Sequence, residues 1–523
     1  MTFDLLLNLK KKLKKQYSIC FITGIIIGFI THGYMLMNKL PNWDDVYNVN
    51  SYGSGAFIGR WLLPILHPFG GSLSVPAVHG FLAIVFLSLS ACMVLAMLDL
   101  KSVTAAVLVP MLMVTFPSVA STMTFMFTIH VYGLSIFMIT LAVYLLRIYK
   151  FGGILSGILL ICSMGIYQSY ISIAIALILM GLILDCIRGK EVTKIFKHGI
   201  MSAVVLGIST MAYIRLCYLI YPNLGNETYA GVGDMGEISF SRLPVLIARC
   251  YNRVLEYFIY NPFEFVTPLM WVMNIATCIL AVGLFIYLII ARKLYKNKLS
   301  CALSCLFCFF MPLAVAFVYF MAPDAPHSML MLYAYVMVYI LVIGLLECCI
   351  NHWQVKRWCK QWKVSVAKTT VLVTVLVMFL SCYSNYLISN TSYLRMDLAY
   401  ERVSSYYNRI IASVESQEGF ENGDRIAIYG EFHYATNPSP IEATIEGTEG
   451  LRDLSGVAFE NGLLTSGVRN SFIETYLGID MGEISLEEQE EIMESKEYQE
   501  MEIYPTEGAI QKIGDVWVVK VCE

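Results

Sequence analysis

The sequence predicts an α-helical polytopic membrane protein of about 11 transmembrane helices, followed by a small C-terminal extracytoplasmic α/β domain. Composition is the first reason: 57% of residues are hydrophobic and 14% charged, against roughly 45–50% and 25% in an ordinary globular chain, so most side chains need a nonpolar surrounding. The second is periodic. Apolar runs recur at about 17–37, 76–98, 103–125, 128–146, 154–184, 199–221, 266–290, 299–320, 328–350 and 366–388, most near the ~20 residues that cross a hydrocarbon core. The third is a reversal of character after Asn390, where 26 of the 39 acidic residues lie.

The first run follows "KKKLKK" and lacks a small-residue cleavage site, so it reads as a retained anchor rather than a signal peptide. The connectors "DLK", "RIYK", "RGKEVTKIFKH", "ARKLYKNK" and "VKRWCKQWK" are basic. Positive charge is retained on the cytoplasmic side, which puts these connectors and the N-terminus inside. That rule makes one sharp demand. "RIYK" (147–150) and "RGKEVTKIFK" (188–197) are both basic, yet only the 154–184 run separates them. As one helix that run would be ~46 Å long, too long for one span and too short for two full ones. A broken pair of helices satisfies both facts, with "GIYQSY" (165–170) as the break. Irregular backbone at membrane depth persists only where protein or a wet cavity satisfies it, so the break is expected at an outward-facing cavity.

Eleven crossings then leave a transmembrane domain over 1–389 and an extracytoplasmic domain over 390–523. Two outer loops result: 38–75, holding Asp44, Asp45 and "GAFIGRWLLPILHPFGG", and 221–266. In the second, Arg242, Arg249 and Arg253 are spaced among apolar residues as in an interfacial amphipathic helix. In the C-terminal domain, "TSYLRMDLAYERVSSYYNRIIASVES" has helical periodicity, "DRIAIYG" reads as a strand, "SLEEQEEIMESKEY" as a polar helix and "AIQKIGDVWVVKV" as a hairpin. The domain carries no glycine-rich phosphate loop, G-x-S-x-G elbow or HExxH. The 15 cysteines are scattered, mostly inside apolar segments, without the even spacing of a disulfide framework, and read as small apolar residues.

Asp44 and Asp45 close the first span's exit. A carboxylate near hydrocarbon must reach water or a partner, and a polar helix cap would meet that need. Beside a partly dry cleft, however, a carboxylate also suits a general base that takes a hydroxyl proton as the oxygen attacks. Arg60, in the same loop, offers forked donors matched to a phosphate leaving group. Base plus phosphate clamp is a transferase pattern.

In the same order along nearly the whole chain, "HGYMLMNKLPNWDD", "GRWLLPIL", "GIYQSY", "MAPDAPHSMLMLYAYV" and "EIYPTEGAIQKIGDVWVVKV" resemble the bacterial polytopic O-antigen glucosyltransferase family, glucosyl transferase II type. The resemblance implies a C-type glycosyltransferase (GT-C) fold in a multi-pass bacterial cell membrane protein. It also implies a polyprenyl-phosphate sugar donor, a surface glycan or teichoic acid acceptor, and an acidic residue just after the first span. On that basis Asp44 or Asp45 is the expected base, the other orienting the acceptor. Arg60 and Arg215 are expected to hold the donor phosphate, although Arg215 could instead snorkel to the interface. Tyr167 and Gln168 are expected to line the sugar site or to bond between helices, and Asp324 and His327 to contact the donor or punctuate a proline-rich turn.

His32, His67, His79, His130 and His327 fall near outer span ends, but none has the i, i+4 spacing of a helical ligand pair. No cofactor is therefore expected from spacing, a divalent ion remaining open, and nucleic acid is no partner. Two competing classes share these features. A lipid-linked oligosaccharide transporter or flippase also breaks helices, and a polysaccharide polymerase shares the substrates.

Overall fold

The computed structural model describes residues 14–50, 55–149, 151–223, 240–261, 263–323, 325, 327–355, 361–430, 447–458 and 466–522. It is a helical bundle with a smaller mixed unit at one end, here called the head. In chain order come α1 (Lys15–Met37), the short α2 (Trp43–Tyr47), α3 (Leu63–Leu66), α4 (Pro76–Met97), α5 (Val103–Thr115), α6 (Pro117–Met123) and α7 (Ile129–Ile148). There follow α8 (Gly152–Ile166), α9 (Ile171–Arg188), α10 (Val192–Ile220), α11 (Leu243–Leu255), α12 (Pro268–Ala291), α13 (Lys298–Val315), α14 (Val318–Met321), α15 (Val336–Val355) and α16 (Gln361–Glu415). Among the described residues nine helices are long and apolar enough to cross a membrane, ten with the bent pair α5–α6, while α8 is apolar but only 15 residues long. The protein is a multi-pass membrane protein.

One span is bent and one apolar run is split into two helices, and in each case the sequence supplies the break and its repair. Phe116 precedes Pro117 and is extended, which ends α5 and turns α6 by 45°. The carbonyls this frees find side chains. Val114 accepts from His32 at 2.8 Å and Met113 from the Tyr333 hydroxyl at 2.9 Å. The second break falls within "GIYQSY": α8 stops at Ile166, Tyr167 is extended, and a 3₁₀ turn over Gln168–Tyr170 leads into α9. The Gly165 carbonyl accepts from the Leu62 amide at 2.8 Å, so the re-entrant segment 55–70 supplies the missing partner.

The C-terminal unit grows out of α16, which runs unbroken for 55 residues through the boundary expected at 389/390. At 1.5 Å per residue it is about 80 Å long, more than twice a hydrocarbon core. Beyond it lie β1 (Arg425–Tyr429), α17 (Ser466–Phe472), α18 (Leu486–Glu494), α19 (Lys496–Gln499), β2 (Ile510–Ile513) and β3 (Val516–Lys520). The sheet order is β1-β3-β2, with β1 parallel to β3 and β2–β3 a hairpin. One face of the sheet, through Ile426, Ile428, Trp517 and Val519, packs on Val403, Tyr407 and Ile410 of α16. Val46 of α2 belongs to that same core. The acid-bearing helix is thus pinned between bundle and C-terminal unit.

Candidate active site

Asn42 starts the site. Its side chain accepts from the Asp45 amide at 2.9 Å and caps α2, fixing which way the two acids face. Asp45 is fully buried, and its two oxygens accept from the Phe127 amide at 2.9 Å and the Met126 amide at 3.1 Å. Lys39, itself bonded to Ser74, is its counter-charge. Burial pushes the Asp45 carboxyl above the usual range, and Lys39 and the amides pull against it. These bonds clasp the 124–128 turn, and the lone pairs they use are directed at backbone.

Asp44 differs. It is half-buried, and no described group donates a hydrogen bond to its carboxylate. Burial, then the neighbouring Asp45 charge, raises its pKa, while Arg60 lowers it. A carboxyl with a raised pKa, facing a cation and free to accept, has the properties a general base requires.

Arg60 is held by the re-entrant segment. Gly59 sits at φ +80° with its carbonyl accepting from the Tyr213 hydroxyl at 3.2 Å, and a Cβ there would lie 2.7 Å from that hydroxyl. Trp61 packs on Gly165, where a Cβ would come within 2.6 Å of the indole. The Arg60 guanidinium lies over the Tyr167 ring at 4.7 Å and donates to the Tyr132 hydroxyl at 3.3 Å. Tyr132, Tyr167 and Tyr170 form one aromatic floor, with centroids 4.9 to 6.4 Å apart. Gln168 donates to the Ile58 carbonyl at 2.8 Å, and its own carbonyl oxygen is buried without a partner among the described residues.

A second polar group stands on α11 and the turn after it. Glu256 accepts from Arg253 at 2.9 Å and from Asn252 at 2.7 Å, and lies 3.4 Å from His327 Nδ1. The Arg253 guanidinium lies 5.6 Å from the Tyr319 ring, and the Tyr319 and His327 rings are in edge contact at 5.5 Å. Burial, then Arg253, holds the His327 ring to about 3, so it is neutral at physiological pH.

The structure therefore brings together Arg60, Tyr167 and Gln168, sets Asp44 within the electrostatic reach of Arg60, and holds His327 in the second group beside Tyr319 and Glu256. Arg215 is not among them. It is exposed on α10, on the face opposite Tyr213 and Cys217, which touch Gly59. Asp324 lies outside the described residues. Tyr132, Lys39 and Glu256 escaped the sequence reading because no motif marks them, and Arg253 was legible only as one of three cations on an amphipathic helix.

His67, His79 and His130 cluster with ring centroids 4.1 to 5.7 Å apart. They bond backbone carbonyls around the 124–128 turn and the re-entrant segment, His79 to Met126 and Gly70, His130 to His67. Among the described residues no group of three or more His, Cys, Asp or Glu side chains could hold a metal ion.

A family model described as glucosyl transferase GtrII matches residues 33–346. The chain belongs to that family. No curated protein and no solved structure matches it. The match begins just before Asp44 and ends in α15, so it includes every residue of the two polar groups and leaves the C-terminal unit outside. Membership gives this glucosyltransferase-family protein a glycosyltransferase role, with a sugar donor and an acceptor.

Proposed function

We propose that the protein moves a hexose, glucose by its family, from a polyprenyl-phosphate donor to a glycan or teichoic acid on the outer face of the cell membrane, on a GT-C scaffold. The observation that carries this reading is the asymmetry of the acid pair. Asp45 is spent on the Met126 and Phe127 amides, whereas Asp44 lies within the field of Arg60 with oxygens that no described group occupies.

In the reaction an acceptor hydroxyl attacks the anomeric carbon. Its proton passes to the Asp44 carboxylate as the new glycosidic bond forms. The bond from that carbon to the phosphate oxygen breaks, and its electron pair leaves on the polyprenyl phosphate. Arg60, planar and permanently charged, stabilises that charge. A single displacement inverts the anomeric centre. The unpartnered Gln168 oxygen is suited to accept from a sugar hydroxyl, and Tyr167 to stack on the ring, since both border Arg60. Asp45 orients the acid helix. Among the described residues, the basic connectors holding Lys101, Arg188 and Arg292 meet at the end of the bundle away from the head, which supports an extracytoplasmic head.

A transporter or flippase would move the same donor without making a bond. Proteoliposomes given polyprenyl-phosphate [¹⁴C]glucose and a surface-glycan fraction distinguish the two. Label in a new glycosidic linkage is expected, and label crossing the bilayer still attached to lipid would overturn the reading.

A further inference from the structure

Among the lipid-facing grooves one leads out of the polar group on α11. It lies between α12, α13 and α15 under α11, has a volume of about 330 Å³, and is lined by Leu255, Phe258, Ala281, Phe285, Met311 and Leu341 among others. The lining is almost wholly apolar, and Leu255 and Val282 at its rim are exposed on the outside of the bundle. Two other grooves, one bounded by Tyr17 and Tyr144 and one by Tyr149 and Ser209, lie toward the end away from the head. A third lies beside Thr31 and Tyr383; the α11 groove differs from it in being lined by Val254 and Leu255, the residues that follow Arg253 in the chain.

Next to this groove, through Val254 beside Arg253 and Phe258 stacked on Tyr335, side-chain atoms are buried without partners among the described residues. They are Arg253 Nε, the Tyr335 hydroxyl and His327 Nε2. Tyr335 is 0% exposed and feels both Arg253 and Glu256. Leaving a buried donor unsatisfied costs about 1–3 kcal/mol, so an unpartnered cation N–H and an unpartnered hydroxyl that interact electrostatically fit an anion that arrives later. His327 complements them. Its Nδ1 faces a Glu256 oxygen, which makes Nδ1 the protonated nitrogen of a neutral ring and leaves Nε2 a lone pair able to accept from a hydroxyl. Glu256 holds both neighbours and positions the set.

Resting on the transferase reading, we propose that Arg253 and Tyr335 bind the phosphate of the polyprenyl-phosphate sugar, that His327 accepts from a hydroxyl of its sugar, and that the isoprenoid chain lies in the groove between α12, α13 and α15. The phosphate then sits at the junction of hydrocarbon and head beside Arg253, whose guanidinium lies against Tyr319 as that of Arg60 lies over Tyr167. Arg253 takes the role the sequence offered to Arg215.

A benzophenone-bearing polyprenyl phosphate, photolysed with the purified full-length protein, tests this directly. Label is expected on peptides spanning 278–285, 308–312 and 338–345, competed by unlabelled prenyl phosphate but not by prenol or inorganic phosphate. Arg253→Met is expected to weaken competition about tenfold to a hundredfold, the loss of a charge-assisted contact. Ala281→Phe, which fills the groove and leaves the head intact, is expected to raise the KM for the long-chain donor with little change in kcat. Label that bulk lipid competes equally well, label confined to the Thr31–Tyr383 groove, or unchanged competition in Arg253→Met would each overturn the proposal. Asp44→Asn separates this from the function itself. It should label like the parent while losing transfer, so failure of labelling and failure of the transferase reading are distinct outcomes.

Discussion

Asp44 and Asp45 are adjacent in the chain and differ in what their oxygens touch, so identical substitutions are expected to separate them. In Asp45→Asn one oxygen remains to accept from two amides and the charge opposite Lys39 is gone. A charged hydrogen bond contributes about 1.5–3 kcal/mol, so thermal melting in detergent is expected to show a clear loss of stability. Asp44→Asn touches no such bond and removes a charge that burial disfavours, so it is expected to melt no lower than the parent. Protonation gives a second handle. Burial and Asp45 raise the Asp44 pKa while Arg60 restrains it, so the active ionised form is lost as pH falls through a value above the usual carboxylate range. Ionisation of a carboxyl whose folded pKa is raised costs stability, so this group destabilises the fold above that pH and ceases to below it. Removing Arg60 removes the restraint. In Arg60→Met the acidic limb of the residual kcat/KM profile is expected at higher pH than in the parent, and a limb that stays put or moves lower would separate Arg60 from Asp44. Arg215→Ala, on the lipid-facing side of α10, is expected to leave turnover unchanged. The acids and Arg60 were legible because charges are rare in such a chain. Their division of labour was not, because it depends on amides of residues 126 and 127, some 80 positions away.

At the scale of elements, the site is a re-entrant segment laid into a helix break. The break was legible from charge bookkeeping: two basic connectors flank one run too long for a single span, and Gln168 interrupts its aliphatic pattern. What fills the break was not, because Leu62 donating to Gly165 and Gly59 accepting from Tyr213 are tertiary pairings with no periodic signal. Gly59→Ala forces a side chain into a left-handed residue and against Tyr213, at a cost of about 1–2 kcal/mol before the clash is counted. It is expected to displace Arg60 and cut kcat/KM while the bundle stays folded, as circular dichroism and transfer kinetics on one preparation would show. The bend at Pro117 escaped the sequence reading, which took 103–125 as one straight run although Phe116-Pro117 is an ordinary helix-ending pair.

At the scale of the molecule, α16 makes the C-terminal unit a continuation of the bundle. Val46 shares its core, Ser455 accepts through its carbonyl from Ser121 and Thr124, and Asp453 accepts from the Glu264 amide. The unit therefore holds loops from both sides of the site. The strand at 425–429 and the hairpin at 510–520 were legible from alternation and a Gly-Asp turn, but the continuity of the helix at 389/390 was hidden by the change from apolar to polar residues, which alters the solvent and not the backbone. Deletion of 417–523 strips the apolar cover from α2. Transfer activity is expected to fall to background, and the truncated protein to accumulate poorly in membranes. Full activity after that deletion would reduce the unit to an appendage.

The most direct measurement is single-turnover transfer of labelled glucose from a polyprenyl-phosphate donor by Asp44→Asn beside the parent, with donor binding followed in the same samples. Loss of about 10²- to 10⁴-fold in rate with unchanged binding is the predicted result. Parental transfer by Asp44→Asn would leave the reaction without its base.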